Sequence, residues 1–438
     1  MQEFFLRKAP LYLVIDNHAK RSFERADVNT IISVAGSPER GVPSEHVVRF
    51  VAFKRPFEEA ALSDNFIAIE HALDITRTED YRVVPLSAAK LLREGSEDGQ
   101  KELQTTGQYE GDKWGGKYLR APDIYFTILD KGKGKLVPLQ KVVEDIKYGI
   151  KTGADGWFHV KPLHTDGEYT VIKSGDGSVH IIETEFLVPI VRSLKECEKY
   201  AISLEDLEYR LVVINVPRNE LHKYKAFEYV IYGETTNYPS RTGGGIPAMR
   251  PSCSSRGDEW YRIPIPSPNK IKGFMFKLRR DKHIIADNRA KGLGDDALYE
   301  IYCDDEIIIT LLNSTLFAFL LEVSGRFPGG GSGPLAIMVS EAKKLLVVDP
   351  KIFSFYQRQQ LQTSFDNMAR RKTMSIFDEL GIHQIDTNHI STDNALPDRK
   401  ALDDIVFDAL GLTEDERKEV YRAVCQLVWE RISKAKSV

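Results

Sequence analysis

The amino-acid sequence predicts an α+β protein, and three observations carry this prediction. Short apolar runs rich in Val and Ile, separated by Gly, Pro and Ser, lie near the start of the chain. Strand-like and helix-like runs then follow one another irregularly up to about residue 350, and the remainder has apolar residues at helical spacing. With 438 residues, the chain is long enough to form two or three cores.

The elements are predicted in chain order. Near the start, strands are expected at 11–15, 30–35, 47–53 and 81–85, with helical patterns elsewhere between 57 and 108. The polar, Gly-bearing segment 93–116 predicts a domain boundary near residue 110. Beyond it, strands are predicted at 124–129, 169–173, 179–182, 211–215, 229–232, 299–302 and 345–348, and helices at 136–146 and 305–323.

The end of the chain predicts a helical hairpin. Apolar residues at helical spacing mark one face of the first helix: Leu402, Ile405, Val406 and Ala409. Thr413 and Glu416 then form the pattern of a capping box, which opens a second amphipathic helix reaching to about residue 432.

The composition excludes several classes of protein. Hydrophobic residues make up 42% of the chain and charged residues 28%, and its apolar runs are too short to span a bilayer. The N-terminus has no pattern of a secretion signal, so a cytoplasmic location is expected. The four cysteines form no C-x-x-C pair, which favours buried free thiols over a disulfide framework or a zinc site. A net charge of −4 disfavours a wholly basic nucleic-acid binder.

Basic residues are nevertheless concentrated in two regions. The segment 277–291 holds six Lys or Arg against two Asp: Lys277, Arg279, Arg280, Lys282, Arg289 and Lys291. A Gly- and Pro-rich loop at 234–257 adds Arg241, Arg250 and Arg256, with Trp260 and Tyr261 behind it. Positive charge among Gly and aromatic residues is typical of contacts to phosphates and base edges. The alternatives are a solvated helix face for the first region and a disordered insertion for the second.

Motifs for other chemistries are weak. Asp123, Asp145 and Lys147 fit only the loose spacing of a metal-dependent nuclease, and a solvated strand end with an ordinary helix turn explains them equally well. The histidines lack the i, i+4 spacing of a helical metal site, and neither a G-x-S-x-G elbow nor a phosphate-binding loop is present. No metal ligands are predicted.

Several segments together resemble one family. They follow the order seen in the C-terminal half of adenine-specific DNA methyltransferases of restriction-modification systems, which are often methylase-endonuclease fusions. The segments are KWGGKYLRAPDIYF at 113–126, VEDIKYGIKTGADGWFHV at 143–160, RPSCSSRGDEWYRI at 250–263, FMFKLRRDKHIIADN at 274–288, LLNSTLFAFLLEVSGRFPGGGSGPL at 311–335 and the helical tail at 402–432.

The resemblance implies three parts. Residues 1–109 would be the remnant of the catalytic domain, with the edge of its Rossmann-like sheet; 110–350 a mixed α/β target recognition domain; and 351–438 the helical C-terminal region. The implied partner is double-stranded DNA. To the basic residues named above, the resemblance adds Lys151 and Thr152 of GIKTG as DNA contacts.

The sequence departs from the family in its catalytic motifs. Such enzymes bind S-adenosylmethionine at a glycine-bearing loop after a first strand, and they hold the target adenine with an [N/D]-P-P-[Y/F/W] tetrapeptide. The sequence contains no Pro-Pro pair, and no strand, glycine loop and helix open it. S-adenosylmethionine is therefore expected only for an intact enzyme, and this chain alone is expected to be inactive.

The segment RSFERADVNTIISVAG at 21–36 resembles a late catalytic motif of the family. In that motif an aromatic residue just before a strand packs against the adenine that has been flipped out of the duplex. Phe23 matches this aromatic residue, since a flipped base needs an apolar face to replace its lost stacking. The alternative is that Phe23 packs only within its own hairpin.

Two hypotheses for the whole chain stay open. In one, the chain is the C-terminal part of a methyltransferase or fused restriction enzyme, and the catalytic portion lies upstream. In the other, it is a stand-alone DNA specificity or scaffold subunit that assembles with a separate methylase chain. The coding region upstream of Met1 would distinguish them.

Overall fold

The structure, a computed structural model, describes residues 1–17, 31–38, 41–96, 109, 111–193, 198–239, 244–326, 333–383 and 391–436. Helices and strands are mixed along the chain, which confirms the α+β class. The chain divides into two compact units: Met1–Tyr125 with Val323–Gly325, and Phe126–Glu322 with most of the chain after Arg326. The predicted boundaries at 109 and 350 divide the chain by function, and they stay a prediction.

The first unit contains one mixed sheet flanked by short helices. Its strands run in the order β2-β1-β3-β5-β4; β1 and β3 are parallel, and the other neighbours are antiparallel. Its elements are α1 Gln2–Arg7, β1 Leu11–Asn17, β2 Ile31–Ala35, β3 Val47–Phe53, α2 Phe57–Ala60, α3 Ser63–His71, β4 Thr76–Arg77, β5 Tyr81–Ser87 and α4 Ala88–Gly95. The strands expected near the start of the chain are thus confirmed. On one face of the sheet, Val51, Phe53 and Val83 are fully buried.

The second unit begins within a helix and contains two larger sheets. Its strands are β6 Leu136–Pro138, β7 Asp145–Tyr148, β8 His159–Asp166, β9 Tyr169–Lys173, β10 Val179–Glu183, β11 Leu187–Val191, β12 Arg210–Val212, β13 Ile271–Phe276, β14 Leu278–Arg279, β15 Ile285–Asp287, β16 Leu293–Gly294, β17 Leu298–Tyr302, β18 Leu335–Ala336 and β19 Leu346–Val348. One sheet has the order β10-β9-β8-β12-β11-β16, and the other has the order β15-β13-β17-β7.

The helices of the second unit are concentrated toward its C-terminal part. They are α5 Asp123–Lys131, which starts in the first unit, α6 Asp155–Phe158, α7 Ala226–Thr235, α8 Pro251–Ser254, α9 Ile307–Leu312, α10 Thr315–Ser324, α11 Val339–Lys344, α12 Phe355–Ala369, α13 Ile376–Leu380, α14 Pro397–Leu410 and α15 Glu414–Lys436. The predicted helical hairpin is α14 with α15. Its capping box is present, because Thr413 N–H donates to Glu416 Oε2 at 2.7 Å and Glu416 N–H donates to Thr413 Oγ1 at 3.3 Å.

A buried ionic network connects these helices. Arg399 of α14 has no exposed surface, and its guanidinium donates to Tyr200 OH at 2.8 Å and to Glu379 of α13 at 3.3 Å. Arg371 donates two further hydrogen bonds of 2.7 Å to the Glu379 carboxylate. Because each buried charge has a partner of opposite sign, the network fixes the relative positions of α13 and α14.

Three predicted elements are wrong. Residues 124–129 and 229–232, predicted as strands, lie in α5 and α7. Residues 136–146, predicted as a helix, form β6, a short 3₁₀ turn and the start of β7. Pro138 explains the latter, because proline within a helix removes a backbone hydrogen bond and clashes with the preceding turn.

The described residues also bear on two further predictions, that the cysteines are buried free thiols and that the apolar runs are too short to span a membrane. Cys253, Cys303 and Cys425 are buried free thiols, as predicted. Burial raises the pKa of Cys303 and that of Cys425 to about 12, so neither is a reactive thiolate at neutral pH. Within the described ranges, no helix combines the length and the apolar character needed to cross a membrane.

Candidate nucleic-acid interface

A cleft of about 330 Å³ opens on the second unit beside strand β7. We call it the β7 cleft. One wall is β7 and the chain that follows it, and the other is the stretch from Ser252 to Pro266. Its lining residues are Lys147, Tyr148, Gly149, Ile150, Lys151, Ser252, Arg256, Ile263, Pro264, Pro266, Glu300 and Tyr302. The cleft thus joins GIKTG to the Gly- and Pro-rich loop, two segments far apart in the sequence.

Backbone packing fixes the wall formed by β7. This strand lies at the end of its sheet and pairs with β17, Tyr148 lying opposite Tyr299. The chain then passes Gly149, where an added Cβ would lie 2.2 Å from the Asp295 carbonyl oxygen. Real Cβ atoms do not approach backbone atoms this closely, so only glycine fits here. The positions of Lys147 and Lys151 therefore depend on this close approach.

Lysines and tyrosines form the exposed surface of the cleft. Tyr148 is half exposed, and the Lys277 ammonium lies 4.8 Å from its ring centre. The Lys147 ammonium lies 5.0 Å from the ring centre of Tyr302. Lys151 is exposed and forms no ion pair with any residue that the structure describes. Cations over aromatic rings gain about 0.5–1 kcal/mol at exposed sites. Lys147 also lies 3.6 Å from Asp145 and Lys277 lies 2.9 Å from Asp296, both ion pairs at the protein surface.

Glu300 is the acidic residue of the cleft lining, but its carboxylate is already bonded. It is buried, and it accepts hydrogen bonds from Gly294 N–H at 2.8 Å and from Tyr302 OH at 2.6 Å. Burial raises the pKa of Glu300 above its ordinary value. The charge at the mouth of the cleft is therefore set mainly by the lysines.

Arg256 holds the two walls of the cleft together. Its guanidinium donates to the backbone oxygens of Thr152 at 2.6 Å, Trp260 at 2.7 Å and Arg262 at 3.2 Å, and its Nε donates to Ser252 O at 3.1 Å. With these donors occupied, Arg256 positions the loop rather than offering a free fork to a base.

The side-chain hydroxyl of Thr152 is also hydrogen-bonded within the protein. It has no exposed surface, its hydroxyl donates to Asp155 Oδ1 at 2.5 Å, and the same oxygen accepts the Ala154 N–H at 3.1 Å. In the described conformation Thr152 has no surface with which to contact DNA directly. Its neighbour Lys151 does.

The basic segment 277–291 divides into buried and exposed residues. Arg279 is 5% exposed, and burial lowers its pKa to about 10. Lys282 donates to Thr373 O at 2.9 Å, and Arg289 forms ion pairs with Asp287 at 2.8 Å and Asp366 at 2.6 Å. Arg280 and Lys291 are exposed.

Three predicted site residues remain: Arg250, Arg241 and Phe23. Arg250 is partly exposed just before α8 and two residues from the cleft residue Ser252. Arg241 and the predicted base-stacking residue Phe23 lie outside the described residues, so their roles stay predictions.

The aromatic residues behind the loop belong to the core. Trp260 is 3% exposed and donates through Nε1 to Glu234 at 3.0 Å, and Tyr261 is fully buried. Trp157 stacks on Tyr229 with ring centres 4.7 Å apart. The aromatic surface at the cleft is instead Tyr148, which the sequence analysis did not single out.

The nuclease arrangement of Asp123, Asp145 and Lys147 lacks free carboxylates. Asp123 lies in the first unit and pairs with Arg82 at 2.9 Å, as well as with Arg77 and Lys54. Asp145 lies in the second unit and pairs with Lys343 at 2.7 Å. Carboxylates already paired with several cations are poor ligands for a divalent ion.

A different group of possible metal ligands is present. Single ligand atoms of Asp155, His159 and Asp295 all lie within 4.8 Å of one another. Asp155 and His159 are four residues apart, at the start of the one-turn helix α6 and at the start of β8; this spacing is readable in the sequence, although the histidines themselves are not spaced i, i+4 from one another. Asp295 is more than a hundred residues away, and only the fold brings it near.

In the described part of the first unit, no strand leads through a glycine-bearing loop into a helix, the arrangement expected of a methyl-donor site. Neither β3 nor β5 is followed by a glycine before its helix: β3 leads through Lys54, Arg55 and Pro56 to α2, and β5 runs directly into α4. A donor site of the expected kind requires backbone that approaches the ligand closely, and glycine permits this approach. The expectation that S-adenosylmethionine binds only to an intact enzyme stays a prediction.

Comparison with known proteins gives one family. The family described as "Type II methyltransferase M.Eco57I, C-terminal domain" matches residues 111–381, more than half of the chain. No curated protein matches.

Two solved structures were compared over nearly the whole chain. The type IIG restriction endonuclease BpuSI has 10% identity and a TM-score of 0.47, with 99% of this chain and 45% of that chain covered. The type IIL restriction-modification enzyme MmeI in complex with DNA has 10% identity and a TM-score of 0.38, with 98% and 46% covered. This chain therefore spans less than half the length of each of these two structures.

Proposed function

Since this chain belongs to the family of the C-terminal domain of type II methyltransferase M.Eco57I, we propose that its second unit recognises a specific sequence in double-stranded DNA. The observation that carries the proposal is the β7 cleft, which is lined by Lys147, Lys151 and the half-exposed Tyr148, with the Lys277 ammonium 4.8 Å from the Tyr148 ring centre. A surface of lysines around a tyrosine suits the anionic, stacked surface of nucleic acid.

The dimensions of the cleft limit what enters it. A volume of about 330 Å³ is too small for a duplex but admits one phosphate group with part of its sugar. In this proposal Lys147, Lys151 and Lys277 each neutralise one phosphate of the backbone, one of these phosphates entering the cleft, and together they fix the register of the protein on the duplex. Such contacts position the protein, but they carry no sequence information themselves.

Base readout is proposed for two arginines, the partly exposed Arg250 and the exposed Arg280. Arg250 lies in the loop that forms one wall of the cleft, and Arg280 lies in the basic segment 277–291. Arginine pairs with guanine through two parallel hydrogen bonds, whereas lysine acts as a point charge. Thr152, Arg256 and Arg279 are proposed instead to support the fold of this surface, because their donors or side chains are internal.

Methylation of adenine is the activity proposed for the intact protein, with S-adenosylmethionine as the methyl donor and the cytoplasm as its location. Recognition of DNA by the second unit would set which adenine is modified. If Phe23 stacks on the flipped base, its loss would lower methylation by the intact protein and leave duplex binding by the second unit unchanged.

Duplex binding by this chain tests the proposal. Fluorescence anisotropy with random-sequence duplexes, at salt concentrations between about 50 and 200 mM, gives the affinity and its dependence on salt. Three lysine–phosphate contacts predict a slope of log K against log salt of about −3. Selection from a random duplex pool should then enrich one sequence. Affinity weaker than micromolar at low salt, together with a flat slope, would overturn the proposal.

A further inference from the structure

Three potential metal ligands lie close together, next to the segment of chain that follows strand β7. Asp155 begins α6, His159 begins β8, and Asp295 directly follows β16. The Nε2 atom of His159 lies 3.7 Å from Asp295 Oδ2. A parallel bridge between Ile150 and Asp295 holds this corner of the fold against the segment that carries Lys151.

His159 gives an independent sign of a ligand. The residue is 2% exposed, and neither ring nitrogen has a hydrogen-bond partner. A buried polar group without a partner costs about 1–3 kcal/mol, so native proteins rarely retain one without a reason. Burial lowers the pKa of His159 to about 4, so at neutral pH the ring is uncharged and its contact with Asp295 is not an ion pair.

The two carboxylates complete the donor set. The Asp295 Oδ1 atom accepts the Ala297 N–H at 3.0 Å, and Oδ2 is the oxygen nearest His159. Asp155 is exposed at the edge of the group, and its Oδ1 accepts the Thr152 hydroxyl. Hydrogen bonds to ligating carboxylates orient them and are a regular part of metal sites. The positive charge of Arg192 lies nearby and lowers the pKa of His159, but the two carboxylates leave the group net negative.

We propose that Asp155, His159 and Asp295 bind one divalent transition-metal ion, Zn²⁺ or Mn²⁺. One imidazole with two carboxylates suits these ions better than Mg²⁺, which prefers oxygen ligands and water. Ligands on one such ion lie roughly 3.0–3.4 Å apart, given bond lengths of about 2.1 Å. The observed separations of up to 4.8 Å would close by roughly 1.4–1.8 Å through side-chain rotation.

Such an ion would stabilise the cleft rather than perform chemistry. Asp155 lies four residues after Lys151, and Asp295 is paired through its backbone with Ile150. An ion shared by Asp155, His159 and Asp295 would therefore connect both ends of the segment 150–155 to the β16 end of the six-stranded sheet. The inference is independent of DNA binding, because the ion would bind whether or not the cleft holds DNA.

Metal binding by the purified chain tests the proposal. After chelation and dialysis, Zn²⁺, Mn²⁺ and Mg²⁺ are each added alone, and bound metal is measured by mass spectrometry and stability by thermal unfolding. We expect one Zn²⁺ or Mn²⁺ per chain and a rise in Tm of about 4 °C at a hundredfold excess over Kd. The variants D155N and D295N should each weaken binding at least about tenfold.

The matched control is D296N, which removes the adjacent carboxylate that pairs with Lys277 outside the group. It should bind the ion as the unmodified chain does. Asp155 is exposed, so D155N decides the question if D295N does not fold. Absence of Zn²⁺ and Mn²⁺ binding, binding of Mg²⁺ alone, or equal binding by D155N and D296N would each overturn the proposal.

Discussion

The two basic segments of the second unit, 147–151 and 277–291, differ in what their charges contact. In the first, Lys151 is exposed at a cleft and has no ion pair among the described residues, while the exposed Lys147 lies 3.6 Å from the Asp145 carboxylate. In the second, Arg279 is buried, while Lys282 and Arg289 bond to other parts of the protein. Of the six basic residues in the second segment, two are exposed without a side-chain partner among the described residues, Arg280 and Lys291, so a long run of charge in the sequence gives only a small free basic surface. Local charge counts predict that a surface is basic only where the fold leaves those charges unpaired.

The largest loss of stability is expected at the buried arginine whose side chain bonds to the backbone of the segment 277–291. Arg431 of α15 forms a buried ion pair with Glu322 at 2.9 Å and donates to the backbone oxygens of Arg279 and Arg280. Replacing it in R431M leaves Glu322 buried without this pair, and stability should fall by about 3–5 kcal/mol. Urea unfolding monitored by circular dichroism measures this change. A loss below about 1 kcal/mol would show that the network does not support the segment.

A smaller loss of stability is expected in the segment 147–151, where the substitution disturbs backbone packing and removes no charge. In G149A the new Cβ meets two backbone oxygens of 294–295, at 2.5 Å and 2.2 Å, and stability should fall by about 1–3 kcal/mol. DNA affinity should fall with it, because Lys151 moves. The control is G115A, which has no heavy atom within 4 Å of an added Cβ. Equal stability of the two variants would contradict the close approach.

Burial of side chains in the segment 277–291 should also make the stability of the protein depend on pH. His283 donates through Nε2 to Leu312 O at 2.7 Å, and burial, with Arg279 beside it, lowers its pKa well below 6.5. Arg399 acts in the same direction and Glu379 opposes it. The unfolded chain therefore takes up this proton first as pH falls below 6.5, and stability present above that pH is lost.

The variant H283Q tests this dependence, since glutamine donates to a carbonyl without titrating. Between pH 7 and pH 5, its thermal midpoint should fall less than that of the unmodified chain. The exposed His164 gives the matched control H164Q, which should fall as the unmodified chain does. Parallel curves for all three proteins would contradict the assignment of His283.

The smallest effect on stability is expected for the exposed neighbour of Arg279. The Arg280 side chain is exposed, so R280A should change the free energy of unfolding by less than about 0.5 kcal/mol. If it contacts DNA, the same variant should reduce the salt slope of binding by about 1. A loss of stability like that of R431M would show that Arg280 belongs with the buried residues.

Local signals predicted much of the fold. The capping box of Thr413 and the alternating strands near the start of the chain depend on neighbouring residues, and both were predicted correctly. Residues 124–129 were predicted as a strand because Ile, Tyr and Phe favour strands, but burial of Ile124, Tyr125 and Ile128 on one helical face outweighed this preference.

The candidate site was harder to predict. Lys151, predicted as a DNA contact, is exposed in the cleft lining, but the internal bonds of Arg256 and the burial of Arg279 depend on residues distant in the sequence. Composition cannot show whether an arginine donates to a carbonyl oxygen of its own chain or to solvent. For the same reason Asp155 and His159 were not connected with Asp295.

The salt dependence of DNA binding tests the central claim most directly. The double variant K147A/K151A removes two charges from the β7 cleft, and K133A/K223A removes two exposed lysines elsewhere in the same unit. We predict that the slope of log K against log salt becomes less negative by about 2 in the first variant and stays unchanged in the second. Equal slopes in the two variants would show that the β7 cleft does not bind the DNA backbone.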